Sequence, residues 1–151
     1  MSEVRMTMPV AREHVWDVLA DGWMYVCWVV GASHIRDVDD KWPAEGTRLH
    51  HSVGIWPLVA HDITVVRAVE PPALLELQAR LWPLGTARIR LDLNEIAPSQ
   101  TEVVMTEHGT SGVGKLIPDL IESAVLVPRN RESLSRLCDI AVGRVTRTAS
   151  G

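Results

Sequence analysis

The pattern of apolar and polar residues near the C-terminal end predicts an amphipathic helix. In the segment 128–142, PRNRESLSRLCDIAV, apolar side chains recur at helical spacing and form one stripe that includes Leu134 and Leu137. Pro128 suits the first position of a helix, and Gly143 suits the position just after its last turn. A helix with one apolar stripe needs a surface that buries it, and the middle of the chain supplies one.

The middle of the chain has the two-residue period of β-strands. Apolar and polar residues alternate most clearly over 75–81 and 87–94, which a predicted turn at residues 83–85 connects. Each of these strands has one apolar and one polar face, which is typical of antiparallel sheets. The other predicted strands lie at residues 4–8, 33–38, 47–55, 58–69 and 101–108.

Shorter helices are predicted on both sides of this strand-rich region. The segment 11–21 has a helical apolar stripe. The segment 23–30, WMYVCWVV, is apolar on all sides, and we interpret it as a short buried helix because a helix end precedes it and Gly31 closes it. A further helical stripe over 116–124 is predicted to stop before Pro128.

The resulting element order, β-α-α-β6-α, predicts an α+β fold. Six consecutive strands without helical crossovers indicate an antiparallel sheet. The apolar face of the sheet and the stripe of the last helix bury each other if the sheet curves around the helix. Such an arrangement tends to leave a cavity between the two. We expect a single domain over residues 1–146 and a disordered tail over 147–151.

Composition and charge exclude several classes of protein. A net charge of -4 at pH 7 argues against a general nucleic-acid binder, which would carry a basic face. No apolar run approaches the roughly 20 residues that span a bilayer, and the start of the chain, MSEVRMTM, has no apolar signal segment. We therefore expect a cytoplasmic protein without membrane insertion.

The two cysteines, Cys27 and Cys138, have neither CxxC nor metal-finger spacing. Both lie in apolar helical patterns, so we expect buried, reduced thiols. No metal and no cofactor are predicted. A homodimer remains compatible with the sequence, although no segment specifies one.

Three segments carry a resemblance to a known family: WVVGASHIRDVDDKWPAEGTRLHHSVGIWP at 28–57, PLGTARIRLDLNE at 83–95 and PRNRESLSRL at 128–137. The chain resembles the SRPBCC superfamily, which includes START lipid-transfer domains, birch-pollen-allergen-like proteins and polyketide cyclase/dehydrase-like proteins. It looks most like the bacterial polyketide cyclase/dehydrase-like branch. The resemblance implies the helix-grip fold and a cavity for apolar ligands. It transfers no catalytic residue, because the superfamily shares a cavity and not a catalytic triad.

His51 is the most informative polar residue of the predicted sheet. It shares its strand phase with Leu49 and Val53 and should therefore face the interior. A buried imidazole serves either as a general base near neutral pH or as a hydrogen-bonded core residue. Asp62 and Thr64 interrupt an apolar strand; facing inward they would suit His51 as partners, and facing outward they are ordinary surface residues.

Glu107 is the second candidate for chemistry. It follows Met105 at a spacing of two and would reach the cavity, where a carboxylate can orient a polar ligand group or accept a proton. The opposite phase of this strand would present His108 instead. The pattern leaves the inward phase open on both 58–69 and 101–108.

The last helix adds Asn130 and Arg131, which sit beside its apolar stripe. Arg131 is expected either to bind a ligand carboxylate with two hydrogen bonds, or to form an ion pair with a sheet residue or remain solvated. The complete set of predicted ligand-binding residues is His51, Val53, Leu77, Ile89, Met105, Glu107, Asn130, Arg131 and Leu134.

These observations support one main hypothesis and two alternatives. The main hypothesis is a protein that binds a hydrophobic small molecule or lipid-like ligand in a cavity between the sheet and the last helix. The first alternative is a polyketide cyclase/dehydratase-type enzyme in which His51, with Asp62 or Glu107, moves a proton. The second is a protein-interaction domain resembling a co-chaperone, which would show an exposed apolar patch in place of an enclosed cavity.

Overall fold

The computed structural model describes residues 1–55, 57–81 and 85–150. The predicted order of elements is confirmed, and most of the predicted turn at 83–85 lies outside the described residues. The elements are β1 (Ser2–Met8), α1 (Arg12–Leu19), a 3₁₀ turn (Gly22–Met24), α2 (Tyr25–Trp28), β2 (Ala32–Val38), β3 (Arg48–Ile55), β4 (Leu58–Glu70), β5 (Leu74–Leu81), β6 (Gly85–Ala97), β7 (Gln100–Ser111), a second 3₁₀ turn (Val113–Leu116) and α3 (Asp119–Ser150).

The seven strands form one antiparallel sheet in the order β1-β7-β6-β5-β4-β3-β2. Strands β2 to β7 follow one another as a meander, and β1 pairs with β7. The sheet is open, with β1 and β2 at its two edges. Each strand alternates between an inner and an outer face, because successive side chains point to opposite sides.

The core lies between the inner face of the sheet and α3. The helix lies across β1 and β7 and contacts α1 and α2 at its sides. Its stripe residues Leu134, Leu137 and Ala141 are fully buried, which confirms the predicted contact between helix and sheet. The apolar side chains that the inner face contributes include Leu49, Val66, Leu75, Leu77, Ile89, Leu91, Leu93, Val103 and Met105.

The last helix is longer at both ends than the sequence predicts. It runs from Asp119 to Ser150, with Pro128 inside it and Gly143 passed without a break. A proline inside a helix removes one hydrogen bond, but burial of a long apolar stripe compensates for a loss of that size. Of the segment 147–151, for which the sequence predicts a disordered tail, residues 147–150 continue α3, and residue 151 lies outside the described residues.

The segment between β7 and the buried part of α3 includes the stripe predicted over 116–124. Its predicted helical stripe is exposed to solvent, and we refer to its large apolar side chains as the apolar rim. The rim consists of Val113, Leu116, Ile117, Leu120, Ile121 and Val125.

Both cysteines are free thiols. Cys138 is half-buried, whereas Cys27 is exposed, so the expectation of a buried thiol is wrong for Cys27.

No helix among the described residues combines the length and the apolar character needed to cross a bilayer. No group of three or more histidine, cysteine, aspartate and glutamate side chains in that part of the chain is placed to hold a metal ion.

Candidate functional site

A cavity of about 210 Å³ lies between the sheet, the loop that follows α2 and the N-terminal half of α3. We refer to it as the inner cavity. Most of its wall is apolar, and four polar side chains interrupt that wall: Tyr25, His51, Glu107 and Arg129. The remaining lining residues are Val29, Val30, Gly31, Ala32, Val53, Ala79, Ile89 and Leu126.

A second cavity of about 220 Å³ adjoins the first beneath the start of α3. We refer to it as the rim cavity, because Ile117, Ile121 and Val125 of the apolar rim line it. Glu107 and Leu126 line both cavities. The other lining residues of the rim cavity are Gly85, Thr86, Ala87, Gly109 and Glu122.

His51 forms the first polar cluster of the inner cavity. Its side chain is buried, and its Nε2 lies 2.8 Å from Oγ1 of Thr64. The same threonine oxygen lies 3.5 Å from the hydroxyl of Tyr25, whose ring centre is 5.5 Å from that of His51. Nδ1 of His51 is buried and has no hydrogen-bond partner among the described residues. The imidazole is thus anchored on one side only.

The pairing of β3 with β4 explains this cluster. Asp62 lies directly opposite His51, and Thr64 lies opposite Leu49. Directly opposed residues share a face of the sheet, so both polar residues of β4 point inward, where they are buried. The strand pairing therefore decides which side chains of residues 58–69 face the interior, a question that the sequence left open.

Burial sets the protonation states of the cluster. Desolvation lowers the pKa of His51 below its usual value, and this effect exceeds the opposing influence of the nearby Asp62 carboxylate. Burial also raises the pKa of Tyr25. At neutral pH the wall therefore presents a neutral imidazole and a protonated phenol, both of which can donate or accept a hydrogen bond.

Glu107 forms the second polar cluster. It is buried, and both its carboxylate oxygens accept hydrogen bonds from Nη1 of Arg129, at 3.1 and 3.0 Å. Nδ2 of Asn130 donates to the second of these oxygens at 2.7 Å. A buried carboxylate requires such compensation, and here a cation and an amide supply it.

The same cluster holds the loop that forms one side of the inner cavity. Nε of Arg129 donates to the carbonyl oxygen of Val30 at 3.0 Å, and the amide N–H of Val30 donates to Oγ of Ser133 at 3.1 Å. Arg129 therefore joins three parts of the fold: β7 through Glu107, its own helix, and the loop after α2.

The inner cavity brings together four of the predicted ligand-binding residues, namely His51, Val53, Ile89 and Glu107. Three others, Leu77, Met105 and Leu134, are buried in the packed core and do not line either cavity. Asn130 lines neither cavity and donates a hydrogen bond to the carboxylate of Glu107. Asp62 is buried beside His51 and is not among the lining residues.

Arg131 does not line either cavity. It is exposed, and the arginine at the cavity is Arg129. Two residues correspond to about 200° of rotation around a helix, so the two arginines lie on nearly opposite sides of α3. Tyr25 and Leu126 are further lining residues that the sequence did not identify.

Comparison with known proteins gives no sequence-level relationship. No protein-family model matches the chain, and the search of curated proteins found no significant match.

Solved structures, in contrast, share the fold over nearly the whole chain. The ZhuI aromatase/cyclase from Streptomyces sp. R1128 superposes with a TM-score of 0.69 at 17% identity, over 95% of this chain and 93% of that chain. The di-domain ARO/CYC StfQ of the steffimycin biosynthetic pathway gives 0.74 at 14% identity, over 98% of this chain and 47% of that one. A conserved protein from Geobacillus kaustophilus gives 0.72 at 15% identity, over 93% and 94% of the two chains. The chain therefore has the helix-grip fold that the SRPBCC resemblance implied.

Proposed function

We propose that this protein binds a hydrophobic small molecule in the inner cavity between the sheet and α3. The observation that carries the proposal is an apolar cavity whose few polar groups converge on one space from β3, β7, α2 and α3. Ligand sites typically combine an apolar wall with a small number of oriented polar groups.

The apolar wall supplies the affinity. Side chains such as Val53, Ile89 and Leu126 exclude water from a bound apolar group, and each Å² of apolar surface removed from water contributes about 25 cal/mol. The hydroxyl of Tyr25 and the imidazole of His51 supply orientation, because both are hydrogen-bonding groups without charge at neutral pH.

The charged pair in the wall does not require a charged ligand. The carboxylate of Glu107 is compensated by Arg129 and Asn130 within the protein. We therefore infer an uncharged, mainly apolar ligand with a polar group that reaches His51 or Tyr25. The fold shared with an aromatase/cyclase is consistent with a ligand of this class.

The test is a binding measurement with a cavity-filling variant. Val53→Trp places a large side chain in the inner cavity at a half-buried position of β3. We expect it to weaken binding of an apolar fluorescent dye such as 1-anilinonaphthalene at least tenfold while the thermal unfolding midpoint stays within a few degrees of wild type.

The matched control is Val65→Trp, at a half-buried position on the outer face of the adjacent strand β4. It should leave dye affinity unchanged. Equal effects of the two substitutions, or the absence of saturable dye binding to wild type, would contradict the proposal. Native mass spectrometry of protein purified from its own host would then identify the natural ligand.

A cyclase/dehydratase-type activity is the second candidate. The observation in its favour is the neutral, buried His51, which is held by Thr64 through Nε2 and lines the cavity. A neutral imidazole can accept a proton from a substrate carbon or hydroxyl group. If a linear poly-β-keto thioester is turned over, His51→Gln should reduce the rate by about 10²–10⁴-fold, as loss of a general base does. An unchanged rate would exclude His51 from the chemistry.

A further inference from the structure

We propose that the inner cavity and the rim cavity are two parts of one elongated binding site, and that the side chain of Leu126 is the movable partition that determines how long a ligand can be. This inference rests on the proposed function and narrows the ligand to an elongated apolar molecule with a polar group at one end.

The sizes of the cavities support a joint site. The inner cavity has about 210 Å³ and the rim cavity about 220 Å³. Each is smaller than the roughly 300–1,000 Å³ that is typical of ligand pockets, whereas the two joined fall inside that range. A dry apolar cavity of about 150 Å³ binds benzene, so each of the two cavities alone is large enough for a small aromatic group.

The wall between the cavities has a rigid part and a movable part. Glu107 and Leu126 are the two residues that line both cavities. Glu107 is buried and held by three hydrogen bonds from Arg129 and Asn130. Leu126 is half-buried and has no polar group to hold it. Rotation of a partly exposed leucine side chain is fast and inexpensive, so Leu126 is the part of the wall that yields to a ligand.

The floor beneath the partition is continuous. Ala79 lies in the wall of the inner cavity and pairs with Ala87 on β6, which in turn pairs with Gly109 on β7. Ala87 and Gly109 line the rim cavity. These three small residues form one row across neighbouring strands, so along this row the sheet places no large side chain between the two cavities, and Glu107 is the sheet residue that contributes to the wall.

The polar groups and the apolar rim give the site a direction. Tyr25 and His51 line the inner cavity alone and would bind the polar end of the ligand. Ile121 and Val125 line the rim cavity and are 55% and 62% exposed, which makes that end the apolar opening to solvent. A ligand would therefore lie with its polar group deep and its apolar tail toward the start of α3.

The experiment measures affinity as a function of ligand length. Straight-chain primary alcohols from hexan-1-ol to tetradecan-1-ol are titrated by displacement of 1-anilinonaphthalene. Each methylene that becomes buried should tighten binding about fourfold. For wild type we expect this increase to continue beyond the length that fills the inner cavity, because Leu126 moves aside.

Leu126→Trp should end the increase in affinity at a shorter alcohol than in wild type. In Leu126→Ala the affinity should continue to increase up to at least the alcohol length at which wild type reaches its plateau. The matched control is Leu120→Trp, an exposed residue on the same helix that lines neither cavity. It should behave as wild type.

Two failures are distinguishable. If hexan-1-ol binds but all four proteins reach their plateau at the same length, the joint site is refuted and the proposed function stands. If no alcohol of any length displaces the dye from wild type, both proposals fail. If Leu126→Trp unfolds, Leu126→Ala decides the question. The inference is overturned if its affinity stops increasing at a shorter alcohol than in wild type, and it is supported if the affinity increases to at least the same alcohol length.

Discussion

Replacement of Glu107 by glutamine tests the cluster that connects β7, α3 and the loop after α2. The carboxylate is buried and accepts three hydrogen bonds, two from Arg129 and one from Asn130. Glutamine keeps one oxygen but replaces the other with an amide nitrogen. At least one of the three donors would then face a donor, and the guanidinium would lose its counter-charge.

The expected magnitude follows from burial. Removal of one partner of a buried ion pair typically costs about 3–5 kcal/mol. The side chain of Arg129 is 26% exposed, so water partly solvates its charge and reduces the penalty. We expect Glu107→Gln to lower the free energy of unfolding by about 2–4 kcal/mol. For a chain of this length that corresponds to a decrease of roughly 5–15 °C in the unfolding midpoint.

Urea denaturation followed by circular dichroism measures the effect. The matched control is Glu132→Gln, which breaks the ion pair with Arg136, where the two side chains are 54% and 44% exposed. That change should cost less than about 0.5 kcal/mol. The reasoning is refuted if the two variants lie within about 0.5 kcal/mol of each other, or if a double-mutant cycle of Glu107→Gln with Arg129→Met shows no coupling beyond that value.

Two further predictions concern the core and the imidazole. Leu134→Ala should lower the free energy of unfolding by about 2–5 kcal/mol, since Leu134 is fully buried against the sheet, and a loss under about 1 kcal/mol in urea denaturation would contradict that packing. Burial lowers the pKa of His51, so the unfolded chain binds this proton more readily than the folded protein. The free energy of unfolding should therefore fall as pH decreases through about 6.5 and stop falling below the folded-state pKa, and His51→Gln should remove this component. Denaturation curves between pH 5 and 7.5 check this, and an identical pH dependence in the two proteins would refute it.

The sequence by itself determined the order of the elements and the inward faces of several strands. Alternation along a strand and the 3.6-residue period along a helix are local properties, and residues 75–81, 87–94 and 128–142 show them clearly. The inward position of His51 followed in the same way. On residues 58–69 and 101–108 both faces carry apolar side chains, so only strand pairing decided that Asp62, Thr64 and Glu107 face the helix.

Tertiary structure alone decided which polar side chains meet at the site. Tyr25, His51 and Thr64 meet because α2 packs beside two paired strands, and no local pattern relates residues so far apart in the chain. The sequence suggested Arg131 as the arginine at the cavity, whereas Arg129 lines it. The rotation of a helix about its own axis depends on the surfaces it packs against, which the sequence does not show. Local signals likewise placed helix ends at Pro128 and Gly143, whereas α3 continues through both. Where a helix ends depends on two contributions to its stability. Local propensity contributes a few kcal/mol at most, whereas burial of a long apolar stripe requires the sheet, which exists only in the folded protein.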